Sequence, residues 1–99
     1  MNFNERYAED RRLVLLRALL KTPAYALHEF MLQSEAARYG HSVSRDLLRV
    51  DLAWLAEQGL VKVDKANTTH VATLTARGHD VAQGNATVPG VKRPLPGDD

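Results

Sequence analysis

The stretch GHSVSRDLLRVDLAWLAEQGLV, residues 40–61, decides the fold. Ser44 is a good N-cap for a helix, and Gly59 is the residue type that ends a helix in the left-handed conformation. The two signals together predict a helix over residues 44–58. Three leucines recur at helical spacing and define the inner face of this helix. They are Leu48, Leu52 and Leu55.

Two more helices are predicted before this stretch. The first covers residues 4–21, with Asn4 as its cap and Pro23 just beyond its end. The second covers residues 27–39, and Gly40 follows it where a left-handed residue is expected. Apolar side chains extend around most of the first helix, so this helix must be central in the fold or must meet a partner.

A β-hairpin and a short helix are predicted after this stretch. Residues 61–65 and 69–74 are rich in Val and Thr and predict two strands, which a turn at residues 66–68 would join. Thr75 can cap a last helix over residues 76–83. The predicted fold is therefore mainly α, with a three-helix core, one small β-hairpin and a short C-terminal helix.

The end of the chain has a different composition. From Gly84 onward it holds three of the four prolines and almost no large side chains. Such a segment cannot bury enough surface to fold alone. We therefore predict a folded domain over residues 1–83 and a disordered tail over residues 84–99.

The overall composition restricts the classes of function. The chain has 99 residues, a net charge of +1 and no cysteine, so disulfides and thiolate metal sites are excluded. Its four histidines lack the spacing of a helical zinc site, and we expect no metal and no other cofactor. No glycine-rich phosphate loop or catalytic triad pattern occurs, so we expect no enzymatic activity. The charged N-terminus and the absence of a long apolar run predict a cytoplasmic protein without membrane contact.

The order of three helices and a hairpin is that of a winged helix-turn-helix. Val43 takes the position of the buried residue in the turn, and LTARGHDVA, residues 74–82, has the Leu-Thr-x-x-Gly arrangement that often closes the wing. Over residues 4–83 the chain resembles winged-helix regulators of the ArsR and MarR type. Within that group it is most similar to the small ArsR-like proteins of Mu-like bacteriophages. The resemblance implies a role in transcription regulation or phage DNA handling inside a bacterial host cell.

The resemblance also implies a surface for double-stranded DNA. The third helix would enter the major groove by its N-terminal end, while the wing would contact phosphates or a neighbouring groove. Arginine can pair with guanine, and lysine can contact phosphate. The candidates on the third helix are Ser44, Arg45, Asp46 and Arg49, and those on the wing are Lys62, Lys65 and His70.

Two features of the third helix leave a second function open. Between Arg38 and Lys65, five basic residues are accompanied by four acidic ones, a weak balance for a DNA-binding protein. Leu47, Val50 and Trp54 lie on the outer side of the helix and predict an interface. That interface could form a homodimer, or the chain could be a protein-interaction module that contacts another phage protein and binds DNA weakly or not at all. Open, contiguous exposure of the three side chains would favour a protein partner.

Overall fold

A computed structural model describes residues 2–66 and 68–97 of the chain. Over these residues the chain forms an α/β domain of four helices and one three-stranded antiparallel sheet. The elements are α1 (Phe3–Leu20), β1 (Ala26–His28), α2 (Glu29–Arg38), α3 (Arg45–Glu57), β2 (Val61–Asp64), β3 (Val71–Leu74) and α4 (Ala76–Gln83). Among the described residues we find no helix with the length and hydrophobicity that a bilayer crossing requires.

The first helix begins earlier than the sequence predicted. Asn2, not Asn4, caps α1, because its side-chain oxygen accepts the Glu5 N–H at 2.8 Å. The buried leucines of this helix are Leu13, Leu15, Leu16 and Leu19. A single copy of the chain therefore covers most of the apolar surface that suggested a partner for α1.

The structure corrects the start of the second helix. Residues 26–28 form β1, whereas the sequence predicts a helix from residue 27. These residues form a strand because their backbone pairs with an edge of β3, which is distant in the sequence. His28 then caps α2 by accepting the Met31 N–H at its Nδ1, at 3.2 Å. The buried apolar side chains of α2 are Leu32 and Ala36, whereas Phe30 and Met31 are exposed.

The predictions for α3, the hairpin and α4 are confirmed. Ser44 and Thr75 cap α3 and α4 through their side-chain oxygens, as their positions predicted. β2 and β3 pair antiparallel, and the strand order β1-β3-β2 puts β3 in the middle of the sheet. Asn67, at the centre of the predicted turn, lies outside the described residues.

The core is also confirmed. The three leucines predicted for the inner face of α3 share one buried cluster with a leucine of α1 and with the leucine between α3 and the hairpin. They are Leu16, Leu48, Leu52, Leu55 and Leu60. A buried ion pair joins α1 to α3, because the Arg11 guanidinium donates to both carboxylate oxygens of Asp51. The two charges compensate each other in a region where neither could be hydrated.

The predicted disordered tail has to be corrected over its first part. Val88 is buried in the core cluster, and Gly90 lies against the ring of Trp54. The backbone oxygen of Gly90 accepts the Arg12 guanidinium at 2.8 Å, and the Lys92 N–H donates to α1. The composition of the segment does not predict this packing, because a few valines and backbone groups are enough to hold the segment on a preformed surface. Asp98 and Asp99, which also fell in the predicted tail, lie outside the described residues.

Candidate nucleic-acid interface

The N-terminal end of α3 is the exposed end of the predicted DNA surface. Ser44, Arg45 and Asp46 are all exposed there. The Ser44 hydroxyl oxygen accepts the Leu47 N–H at 3.1 Å, so one role of Ser44 is to start the helix. The N–H groups of the first turn have no partner within the helix, which makes this end attractive to an anion.

A fully buried carboxylate lies beneath this end of the helix. Glu29, the first residue of α2, is 0% exposed. The Nε and Nη2 groups of Arg49 both donate to this carboxylate, and the closest distance, from Nη2 to Oε1, is 2.8 Å. The backbone N–H of His70 donates to the other carboxylate oxygen, and Arg45 lies at 3.7 Å. Glu29 therefore joins α2, α3 and the hairpin through one group.

The pKa of the Glu29 carboxyl reflects these contacts. Burial on its own raises this pKa. The hydrogen bonds from Arg49 and from the His70 N–H lower it, with further help from the Arg49 charge. The net result is a pKa below the ordinary value, so Glu29 is ionised at neutral pH and keeps Arg49 paired.

Arg49 has a different environment from the one the sequence predicted. Its side chain is only 30% exposed, and besides Glu29 it donates to the backbone oxygen of Thr68 in the turn between β2 and β3, at 2.9 Å. Arg45, by contrast, is 52% exposed and extends over the ring of Phe30. Of the two predicted base-reading arginines, Arg45 is therefore the accessible one, and Arg49 connects α3 to the hairpin.

The structure brings three of the predicted residues together in one groove. Arg49, Lys65 and His70 line a groove of about 430 Å³ between α3 and the hairpin. Its apolar lining includes Ala53, which is exposed on α3. Lys62 does not belong to this groove, because side chains alternate along β2 and Lys62 faces the side opposite to the buried Val61.

The predicted interface stripe on α3 is divided in two. Leu47 is 38% exposed and Val50 is 62% exposed, so this part of the stripe is open. Trp54 is half-buried: the Arg12 guanidinium lies 4.2 Å from its ring centre, and Gly90 covers its edge. The C-terminal segment and α1 thus cover one third of the stripe within the same chain.

Two of the four histidines have structural partners. Within residues 2–66 and 68–97, no group of three or more histidine, aspartate or glutamate side chains is arranged to hold a metal ion. His28 caps α2, and His41 is buried against Asp10 at 2.6 Å. These roles account for two of the histidines as structural groups.

Two relatives establish the family. The chain is 52% identical over 93 residues to the uncharacterized protein gp26 of Escherichia phage Mu, and the alignment covers 94% of this chain and 96% of gp26. The chain belongs to the same family as phage Mu gp26. In this gp26 family, an uncharacterized protein of Haemophilus influenzae is 40% identical to the chain over 78 residues, with 78% of this chain and 76% of that protein covered. No protein-family model and no solved structure matches the chain.

Membership of the gp26 family makes the chain a small protein of phage type, in agreement with the resemblance to proteins of Mu-like bacteriophages. The residue that sequence reasoning missed in this gp26-type protein is Glu29. Glutamate is common at the start of a helix, because its negative charge interacts favourably with the positive end of the helix dipole. Only the pairing of β1 with β3 shows that Glu29 is buried, since that pairing brings His70 over it.

Proposed function

We propose that this gp26 family member is a winged-helix protein that binds double-stranded DNA. The element order supports this proposal: α2 and α3 would be the helix-turn-helix, β2 and β3 would be the wing, and β1 pairs with β3 in the same small sheet. The observation that carries the proposal is the groove in which Arg49, Lys65 and His70 meet, beside the exposed Arg45. The biological role we propose is transcription regulation or the handling of phage DNA.

In this proposal the first two turns of α3 enter the major groove. Arg45 is long, exposed and suited to the O6 and N7 atoms of guanine. Val50 and Ala53 lie farther along the exposed side of α3 and would contact thymine methyl groups. Ser44 and the free N–H groups of the first turn would bind a phosphate. Asp46 would accept from a cytosine amino group or, failing that, repel the backbone.

In the wing, Lys65 and His70 would contact DNA, because both side chains line the groove between α3 and the hairpin. Arg49 would act indirectly, because its bonds to Glu29 and to the Thr68 backbone oxygen set the angle between α3 and the wing. Its replacement should therefore weaken binding by misplacing Lys65. This differs from the loss of a base contact, which would also relax the sequence preference of the protein.

The test compares matched variants of the full chain by fluorescence anisotropy on duplex DNA at low and moderate salt. Arg45→Ala should weaken binding by about 1–3 kcal/mol and relax the preference at one base position. Lys65→Ala should weaken binding to all duplexes and reduce the salt dependence by about one released counterion. Lys62→Ala removes the same charge from the opposite face of β2 and should have the smaller effect. Absence of binding by the wild type at low salt would refute the proposal.

A second candidate function rests on the exposure of Leu47 and Val50. Two apolar side chains one turn apart on an open helix suit a protein surface, either of another phage protein or of a second copy in a homodimer. In that case Val50→Lys should abolish association without unfolding the domain. Sedimentation of wild type and variant at high micromolar concentration distinguishes them, since a strictly monomeric wild type would exclude the homodimer.

A further inference from the structure

Phe30, in the first turn of α2, is an exposed aromatic residue beside the N-terminal end of α3. It is 46% exposed, although phenylalanine is among the residue types that are most often buried. The Arg45 guanidinium carbon lies 5.9 Å from the centre of its ring, within the range of a cation–π contact. The contact joins α2 to the accessible arginine of the proposed DNA surface. Phe30 is therefore placed to influence DNA binding through Arg45.

The ring of Phe30 is held in place by the ring of His28. The two ring centres are 6.1 Å apart and the ring planes meet at 65°, which is an edge-to-face arrangement. His28 is fixed in turn, because its Nδ1 accepts the Met31 N–H and so caps α2. The cap restricts the His28 ring, and the His28 ring restricts that of Phe30. Arg45 therefore meets a ring of defined orientation.

The Arg45 guanidinium keeps its N–H groups available for a ligand. Its Nε lies 3.7 Å from Oε1 of Glu29, which is beyond hydrogen-bond length. The same oxygen already accepts from Arg49, so the Glu29 carboxylate stays paired when Arg45 turns towards a ligand. An aromatic ring attracts the guanidinium charge without the strong hydrogen bonds that a carboxylate would form with its N–H groups. Arg45 is thus oriented by Phe30 and can still donate to a guanine.

The orientation of Arg45 matters because a free arginine side chain has many rotamers. A bidentate contact with guanine fixes the side chain and costs conformational entropy. A ring that restricts the rotamers before DNA arrives lowers this cost. The gain is realised only on a duplex in which Arg45 finds its guanine. The effect of the ring is therefore an effect on sequence preference.

We propose that Phe30 is a positioning residue for Arg45 and sets how strongly the protein prefers guanine at one base pair. This role rests on the proposed DNA binding. Phe30 itself does not contact DNA in this arrangement, and its whole contribution passes through Arg45.

The experiment measures discrimination between two duplexes by fluorescence anisotropy of the full chain. Selection from randomised duplexes gives the preferred site of the wild type, and the base pair whose preference is lost in Arg45→Ala is the one that Arg45 reads. The Kd for a duplex with A·T at this position, divided by the Kd for the duplex with G·C, is the discrimination ratio. We expect a ratio of about ten or more for the wild type.

Phe30→Ala should lower the discrimination ratio by about two- to fivefold, as expected for the loss of an exposed cation–π contact. The affinity for the A·T duplex and the salt dependence should not change, because Phe30 carries no charge. Phe30→Tyr keeps the ring and should keep the wild-type ratio. Phe30→Leu keeps an apolar side chain without a ring and should behave like Phe30→Ala.

Two controls separate positioning from a direct contact and from a general effect on α2. Met31→Ala is the matched variant, because Met31 is 45% exposed in the same turn of α2, and it should keep the wild-type ratio. Phe30→Ala should have no effect in the Arg45→Ala background, because two residues that act through one contact are not additive. In the free protein, the NMR signals of the Arg45 side chain should move in Phe30→Leu and stay in Met31→Ala.

The outcomes distinguish this role from DNA binding as such. Equal ratios for Phe30→Ala and a discriminating wild type would overturn the positioning role and leave the proposed DNA binding intact. A further loss of affinity from Phe30→Ala in the Arg45→Ala background would mean that Phe30 contacts DNA directly, which also overturns it. Unchanged Arg45 signals in Phe30→Leu would show that the ring contact does not form. A wild type that binds no duplex, or binds without a preference that depends on Arg45, would overturn the role together with base reading by Arg45.

Discussion

Replacing Glu29 tests whether one buried carboxylate holds α2, α3 and the hairpin together. Removing one partner of a buried ion pair costs about 3–5 kcal/mol. In Glu29→Gln part of this is recovered, because Arg49 is 30% exposed and can be rehydrated, and the amide oxygen can still accept the His70 N–H. We therefore expect a loss of about 2–3 kcal/mol in the free energy of unfolding. Urea unfolding followed by Trp54 fluorescence measures it.

The matched control is Glu35→Gln on the same helix. Glu35 pairs with Arg38 at 3.2 Å, but Arg38 is 70% exposed, so the pair is screened by water. Such surface pairs contribute about 0.2–1 kcal/mol, and Glu35→Gln should fall at or below this range. If Glu29→Gln and Glu35→Gln destabilise the domain equally, Glu29 does not join the elements as we describe.

The pH dependence of the Glu29→Gln effect gives an independent check. The folded-state pKa of Glu29 lies below its ordinary value of 4.5, so the stability that its ionised form contributes is fully present above that value. It is lost as the pH falls through the folded-state pKa. Asp10 also has a lowered pKa, but it is present in both chains and cancels in the comparison. The difference in unfolding free energy between wild type and variant should shrink below pH 4.5; a constant difference would contradict the assignment.

Two further predictions concern the core and the C-terminal segment. Leu52→Ala should cost about 2–5 kcal/mol because it leaves a cavity in the core, while Val50→Ala at an exposed position should change stability by less than about 0.5 kcal/mol; equal effects in urea unfolding would mean that the inner face of α3 is misassigned. Gly90→Ala should shift the fluorescence of Trp54 to the red, because the added methyl carbon would lie 2.6 Å from its ring and displace the segment. Gly97→Ala has a comparable positive φ but nothing within 4 Å, so it should leave the emission unchanged.

Local signals in the sequence were enough to predict α3 and the core. Ser44 and Gly59 bound the helix by capping chemistry that depends only on nearby backbone groups. The inner leucines follow from the helical period, and Leu52 lies in the core as the period predicts. Local signals also predict the hairpin and α4. Thr75, for example, caps α4 within the first turn of that helix.

The remaining features depend on contacts between distant residues. β1 is only three residues long and exists because β3 has an edge to pair with. The sequence predicts that Arg49 faces DNA. In the structure Arg49 binds Glu29, which lies twenty positions earlier in the chain. Trp54 is half-covered by Gly90, which belongs to a segment whose composition suggested disorder. In each case the partner is fixed by the fold, and the spacing along the chain does not reveal it.

We propose that α3 and the groove beside the hairpin bind duplex DNA, and an NMR titration with a duplex of about 20 base pairs locates this surface directly. We expect amide shifts at Arg45, Val50, Lys65 and His70, lost at high salt, with no change at Lys21, which ends α1. Saturable shifts at the first four positions, weakened in Arg45→Ala, are the predicted result. An unchanged spectrum at low salt, or shifts that avoid α3 and the hairpin, would contradict DNA binding by this surface.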